Sequence, residues 1–285
     1  MELIEILKIV VLGLIEGITE WLPVSSTGHL ILFNRFWPLK DVSPAFAEMF
    51  EYVVQLAAIL AVVVLFWKKL FPLGKEKTEE KSKVIWKKDV LTMWLKVLVA
   101  CVPALLALVV DKLFEDLSEN TTTVIVASAL IFYGVVFILI ETFFKKNAKV
   151  QEIAGLSYKY AFFIGCFQVL ASIPGTSRSG ITIIGALLLG VSRVAAAEFT
   201  FFLAITTMVG ASGYKLLKFF MDEGSMSGAE IGYLAIGSIV AFAVSLFVIK
   251  FLMDFVKKHD FKIFGWYRIA LGYVVLTAVA IPAIV

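Results

Sequence analysis

Six apolar runs, each long enough to cross a lipid bilayer, constrain this chain of 285 residues more than any other feature. They lie at roughly Pro44–Trp67, Leu91–Val110, Thr123–Phe143, Ala195–Leu217, Ile231–Phe251 and Ile263–Val285. A helix of about 20 apolar residues spans the hydrocarbon of a bilayer, and a soluble core has no use for six of them. The composition agrees: 60% of the residues are hydrophobic and 17% charged, against about 45–50% and about 25% in soluble domains. The expected fold is therefore an all-α polytopic membrane protein, with membrane lipids as its surroundings. A net charge of +3 gives no reason to expect nucleic acid as a partner. The first residues, Met1 to Leu22, carry Glu2 and Glu5 where a signal peptide is basic and have no small-residue cleavage site, so they are expected to be retained. Cys101 and Cys166 each sit in an apolar run and are expected to be buried free thiols.

Charge on the connections predicts the orientation. Eight lysines fall between Lys68 and Lys88, a second basic stretch holds Lys145, Lys146, Lys149 and Lys159, and a third holds Lys250, Lys257, Lys258 and Lys262. The stretches Asp111–Glu119 and Asp222–Glu230 are mainly acidic. Basic loops stay in the cytoplasm, which places the three lysine-rich connections inside and the acidic ones outside. Two segments remain, Leu3–Phe33 and Tyr160–Gly190, each an apolar run broken in its middle by Pro, Gly and hydroxyl residues. A single crossing by the second would reverse every later loop, so it is expected to enter and leave on the cytoplasmic side. The first is expected to do the same from outside, with both chain termini outside. Irregular backbone at membrane depth is tolerated where protein or a watery cavity surrounds it.

The two broken segments resemble each other. Pro23-Val24-Ser25-Ser26-Thr27-Gly28 matches Pro174-Gly175-Thr176-Ser177-Arg178-Ser179-Gly180 about 151 positions on, and Ala47-Glu48-Met49-Phe50 matches Ala197-Glu198-Phe199-Thr200. Each half then holds one re-entrant helix–loop–helix pair and three spans. Three is odd, so the halves run in opposite senses, as an inverted-topology repeat whose broken helices meet near the midplane. The expected organisation is a single membrane domain over 1–285, with repeat halves of approximately 1–143 and 150–285.

The breaks also hold the chemistry. Ionisable groups in hydrocarbon cost roughly 2.5–3.5 kcal/mol each and need a reason to be there. Glu16 and Glu20 lie four apart, on one face of a helix. Pro23 ends that helix, and Ser25, Ser26 and Thr27 offer hydroxyls at the start of the next, with His29 in its first turn. The second break holds Gly175, Thr176, Ser177, Arg178 and Ser179. Free N–H groups at a helix start, hydroxyls and a guanidinium make a phosphate site. Two carboxylates beside it make sense with a divalent cation, Mg²⁺ or Ca²⁺, which takes oxygen ligands and bridges to phosphates. Ser26 is a candidate nucleophile or substrate ligand, with an attacking water as the other option; His29 is open as base, acid or nucleophile. Glu48, Glu51 and Gln55 share a face of the next helix and are candidates to line the same cavity.

The run from Glu16 through Leu30 and the run from Pro174 through Gly180 resemble the two signatures of the undecaprenyl pyrophosphate phosphatases of the BacA/UppP type. That resemblance implies hydrolysis of a polyprenyl pyrophosphate lipid in the bacterial cytoplasmic (inner) membrane, at a site between the two breaks that opens to the periplasmic side. It implies metal ligation by Glu16 and Glu20, a reacting or activating hydroxyl at Ser26, a catalytic His29 and a pyrophosphate-binding Arg178. A homodimer is compatible with it. The alternative from another class is a transporter or flippase of a polyprenyl phosphate, because midplane broken helices in inverted repeats also build transporters. A purely ion-binding channel explains the carboxylates and leaves Ser26, His29 and Arg178 idle.

Overall fold

The computed structural model describes residues 2–40, 42–77, 82–114, 117–143 and 148–280. Helix α1 (Leu3–Thr19) and α2 (Ser26–Phe36) flank the first break; α3 (Pro44–Leu65) follows, then the short α4 (Trp67–Leu70). After a hairpin come α5 (Lys88–Cys101), the short α6 (Ala107–Asp111) and α7 (Glu119–Phe143). Helices α8 (Tyr158–Val169) and α9 (Arg178–Leu188) flank the second break, and α10 (Arg193–Asp222), α11 (Gly228–Lys258) and α12 (Lys262–Ala280) complete the chain. Among the described residues, five segments are long and apolar enough to cross a membrane: Pro44–Leu65, Lys88–Asp111, Glu119–Phe143, Arg193–Asp222 and Gly228–Lys258. These match the first five expected spans. The sixth, expected over Ile263–Val285, begins as α12, and residues 281–285 lie outside the described residues, as do Lys81, Lys145 and Lys146 of the basic connections and Glu115 and Asp116 of an acidic one. Large apolar side chains such as Leu60, Leu98, Leu105, Phe132 and Phe247 face outward, the surface a lipid environment requires.

The first basic connection is not a plain loop. Leu73–Lys77 (β1) and Ser82–Trp86 (β2) pair antiparallel, Leu73 opposite Trp86 and Lys77 opposite Ser82. Three lysines in two five-residue strands hide the period-2 signal from sequence reading. Cys101 and Cys166 are free, as expected, but half-buried.

Side-chain partners give the direction of each helix against its neighbours. In the antiparallel pair α3 and α10, Glu48 early in α3 bonds Lys215 late in α10, and Lys69 just past α3 bonds Glu198 early in α10 at 2.5 Å. Helices α7 and α12 are also antiparallel: Glu141 Oε1 accepts from the Phe261 backbone at 3.1 Å, and Ala127 meets Gly272 at the other end. Where they cross, a Cβ at Gly134 would lie 2.7 Å from the Gly265 carbonyl oxygen and one at Gly265 equally close to that of Gly134, so the approach requires glycine on both sides. Helices α1 and α3 both run parallel to α11, since Gly13 and Gly17 meet Gly237 and Ala241, while Ser43 meets Glu230 and Phe50 meets Gly237. The short helices dock in matching fashion, α1 on α11 and α8 on α5, α2 on α12 and α9 on α7.

Candidate active site

Both breaks turn into their second helix through a serine with positive φ, Ser25 at 72° and Ser177 at 68°. Among the described residues no other non-glycine residue has this sign. Such backbone costs about 1–3 kcal/mol and persists where the surrounding structure imposes it. Residues that follow the imposed turn at the starts of α2 and α9, Ser26, Thr27, Arg178 and Ser179, come together around one cavity. Ser177 caps α9, its Oγ accepting from the Gly180 N–H at 3.2 Å. Ser25 makes no such cap, and its buried Oγ has no hydrogen-bond partner among the described residues.

Arg268 of α12 holds the two breaks together. Its guanidinium is wholly buried and donates to the Pro23 carbonyl at 3.3 Å, and to those of Gly175 and Thr176 at 3.0 and 2.9 Å. The same cation faces the Tyr133 ring at 5.9 Å. Sequence reading did not single out Arg268, although a charged residue inside the sixth apolar run was the available signal.

A cavity of about 140 Å³ lies between the breaks, lined by Glu20, Ser26 and Thr27 from the first and by Gly175, Ser177, Arg178 and Ser179 from the second, with Gln55 of α3. Arg178 Nη2 stands 3.8 Å from Glu20 Oε1, and its Nη1 donates to Thr207 Oγ1 at 3.4 Å. Ser26 Oγ donates to Glu20 Oε2 at 3.4 Å. Ser179 Oγ donates to the Glu20 carbonyl at 3.1 Å and lies 3.2 Å from Ser177 Oγ. One turn back on α1, Glu16 is buried and its Oε1 has no hydrogen-bond partner among the described residues. Thr176 is buried as well, its Oγ1 likewise unpartnered.

Seven of the expected residues therefore meet at the cavity, Glu16, Ser25 and Thr176 are buried beside the breaks without lining it, and His29 stands apart. Its Nδ1 is 2.8 Å from the Ser25 carbonyl and its Nε2 2.7 Å from the Tyr267 hydroxyl, with the two rings stacked. It is not among the residues lining the cavity. Of the three candidates on α3, Gln55 lines the cavity, Glu48 is held by Lys215, and Glu51 is not among the lining residues. Arg193, past the second break, forms a two-pronged pair with Glu141 at 2.8 and 2.5 Å, well apart from this cluster.

The arrangement offers a guanidinium, two helix starts and several hydroxyls to an anion, and two carboxylates to a cation. Among the described residues no group of three or more His, Cys, Asp or Glu side chains gathers to hold a metal. Glu16 and Glu20 supply hard oxygen donors, one with an unpartnered buried oxygen. Hard oxygen donors are the chemistry that Mg²⁺ or Ca²⁺ would require.

Known proteins are similar to this chain over nearly its whole length. An Enterococcus faecalis protein named undecaprenyl-diphosphatase is 58% identical over 284 residues, 99% of each chain. One of the same name from Lachnoclostridium phytofermentans is 54% identical over 96% of this chain and 97% of its own. A third, from Streptococcus agalactiae serotype Ia, is 52% identical over 95% of each. Residues 9–274 match the family described as bacitracin resistance protein BacA, and the chain belongs to that family.

Proposed function

We propose that this chain hydrolyses undecaprenyl pyrophosphate to undecaprenyl phosphate and inorganic phosphate, at the cavity between the two breaks. The observation that carries the chemistry is the meeting of Glu20 and Ser26 from the first break with Arg178 from the second around one cavity. The relatives bear the name of a phosphatase, and nothing in that name favours the transporter reading.

The terminal phosphate is received by Arg178, by the hydroxyls of Thr27, Ser177 and Ser179, and by the N–H groups at the starts of α2 and α9. A divalent cation held by Glu16 and Glu20 would neutralise the pyrophosphate and stabilise the leaving lipid phosphate. Of the groups left open by sequence, Ser26 alone lines the cavity, with its hydroxyl already directed to Glu20. We assign Ser26 to the phosphoryl group, either attacking it or orienting the water that does, with Glu20 accepting the proton. The bond between the terminal phosphorus and the bridging oxygen breaks as the new P–O bond forms, and the lipid phosphate leaves; where Ser26 itself attacks, a water then hydrolyses the seryl phosphate to release inorganic phosphate and restore the hydroxyl. His29, pinned by Tyr267, holds the first turn of α2 in register from outside the cavity.

The site is read as the centre of an inverted repeat of halves near 1–143 and 150–285, with six spans and two re-entrant pairs. The opposite directions of α3 and α10 and of α7 and α12 support this reading. So do the reciprocal Glu48–Lys215 and Glu198–Lys69 pairs and the matching docking of α1 and α8. With the basic connections in the cytoplasm, the first pair enters from outside and the site opens to the periplasmic face of the inner membrane. Purified protein in detergent, given undecaprenyl pyrophosphate and Mg²⁺ or Ca²⁺, is expected to release one phosphate per lipid. Folded protein that binds the lipid and releases none would end the proposal.

A further inference from the structure

A second, much smaller cavity of about 10 Å³ lies against the Glu20–Arg178 pair, which forms part of the wall of both cavities. Trp21, just past α1, and Gln168, in the last turn of α8, line it. Both are buried, Trp21 at 1% exposure and Gln168 at 6%. Trp21 Nε1 and Gln168 Oε1 have no hydrogen-bond partner among the described residues. An indole N–H can only donate and an amide oxygen can only accept. Leaving each unmade in a buried site costs about 1–3 kcal/mol.

Thr182 and Thr200 share this wall but are occupied. Their hydroxyls lie 3.0 Å apart, and Thr182 Oγ1 also reaches the carbonyls of Arg178 and Ser179 at 2.9 and 3.2 Å. The occupant must then both accept from Trp21 and donate to Gln168. The Trp21 N–H and the Arg178 guanidinium turn a metal cation away, and Glu20 turns an anion away. The volume matches the roughly 10–15 Å³ that one water molecule needs, given two to four polar partners.

We propose that one water molecule is bound here, bridging Trp21 Nε1 and Gln168 Oε1 and turning its remaining hydrogen-bonding capacity to the Glu20–Arg178 pair. Trp21 and Gln168 are thereby positioning residues, one from each break, that fix the guanidinium and the carboxylate from behind. The water itself follows from the cavity; its effect on turnover rests on Glu20 and Arg178 belonging to the site proposed above.

The test has two arms. An experimental structure of the full-length protein, at a resolution that shows ordered waters, is expected to place density within hydrogen-bonding distance of both Trp21 Nε1 and Gln168 Oε1. A dry cavity, or a direct Trp21–Gln168 bond, overturns the proposal without reference to activity and even if the variants below fail to fold. In phosphate release, Trp21→Phe and Gln168→Met are each expected to lower kcat by about 10-fold with KM unchanged, the scale for an outer partner of a reacting group. Because both remove the same water, the double variant is expected to fall little further. Wild-type kcat, or losses that multiply, would overturn the positioning role. Unimpaired turnover by Arg178→Ala would instead sink the site reading and leave the water standing.

Discussion

At the first break the chain enters α2 through Ser25 at φ 72°, and at the second it enters α9 through Ser177 at φ 68°. One turn before each break the chain buries a side chain whose Oε1 lacks a partner among the described residues, Glu16 in the first and Gln168 in the second. Both matches are offset by 152 positions, the spacing of Gly28 from Gly180 rather than the 151 of Pro23 from Pro174. On that register Glu16 stands where Gln168 stands, and Ser26, first in α2, stands where Arg178 begins α9. The backbone is repeated and the charge is not. A site that recognises a pyrophosphate and neutralises it cannot be symmetric, since it needs carboxylates on one side and a guanidinium on the other. On the repeat proposed above, duplication would supply the two helix starts, and substitution at matched positions would make one acidic and the other basic.

The largest expected effect removes what the acidic half is read to hold. Chelation of divalent cations should abolish hydrolysis. Glu16→Gln, which gives the first break the amide of the second, should raise the cation concentration needed for half-maximal rate by at least about 10-fold, because ligand charge sets affinity. Full activity in excess chelator would break the comparison at its acidic end.

Next comes the basic half. Arg178→Ala should lower kcat by at least about 10²-fold, the scale for one oriented donor to developing charge. Arg178→Lys keeps the charge but loses the planar fork, and should lower kcat and kcat/KM together rather than raise KM alone. Arg193→Lys, whose partner is Glu141, should leave turnover near wild type. Near-wild-type turnover by folded Arg178→Ala would reduce the second break to a packing element.

Arg268 belongs to neither break and bonds both. Arg268→Met leaves three carbonyls without their donor, at about 1–3 kcal/mol for each that finds no substitute. The midpoint of thermal unfolding in detergent should fall clearly, with Arg268→Lys between it and wild type. An unchanged midpoint would mean that the two loops hold their geometry unaided.

The smallest effect separates the two strained serines. Ser177→Ala loses a helix cap and should destabilise by about 1 kcal/mol. Ser25→Ala removes a buried hydroxyl with no partner among the described residues, and should be neutral or stabilising. The reverse order in thermal unfolding would show that the caps, rather than the strain, are what the breaks share.

How much of this was legible beforehand follows from what each feature depends on. Apolar length and Pro–Gly punctuation are local, so five spans and both breaks could be read from the chain, as could the pairing of Glu16 with Glu20 on one helical face. The face of α3 that carries Gln55 was legible for the same reason. Tertiary partners were not. His29 sits one turn from Ser26 in any helix, yet its ring turns to Tyr267, 238 positions away. The same distance in sequence hid Arg268, whose three carbonyl partners lie at least 92 positions off. The hairpin in the first basic connection was masked by its own lysines. Nothing in the sequence marks Trp21 and Gln168, whose polar atoms the fold places against one small cavity.

The central claim is that one reacting centre is built from both breaks, and a double-mutant cycle on phosphate release tests it most directly. Glu20→Gln, Arg178→Ala and the double variant are assayed as purified protein with undecaprenyl pyrophosphate and saturating cation. Residues acting on one phosphoryl group lose their effects together, so the double variant is predicted to be little slower than the worse single variant. Losses in kcat/KM that multiply would show Glu20 and Arg178 acting independently, and would contradict a single site shared by the two halves.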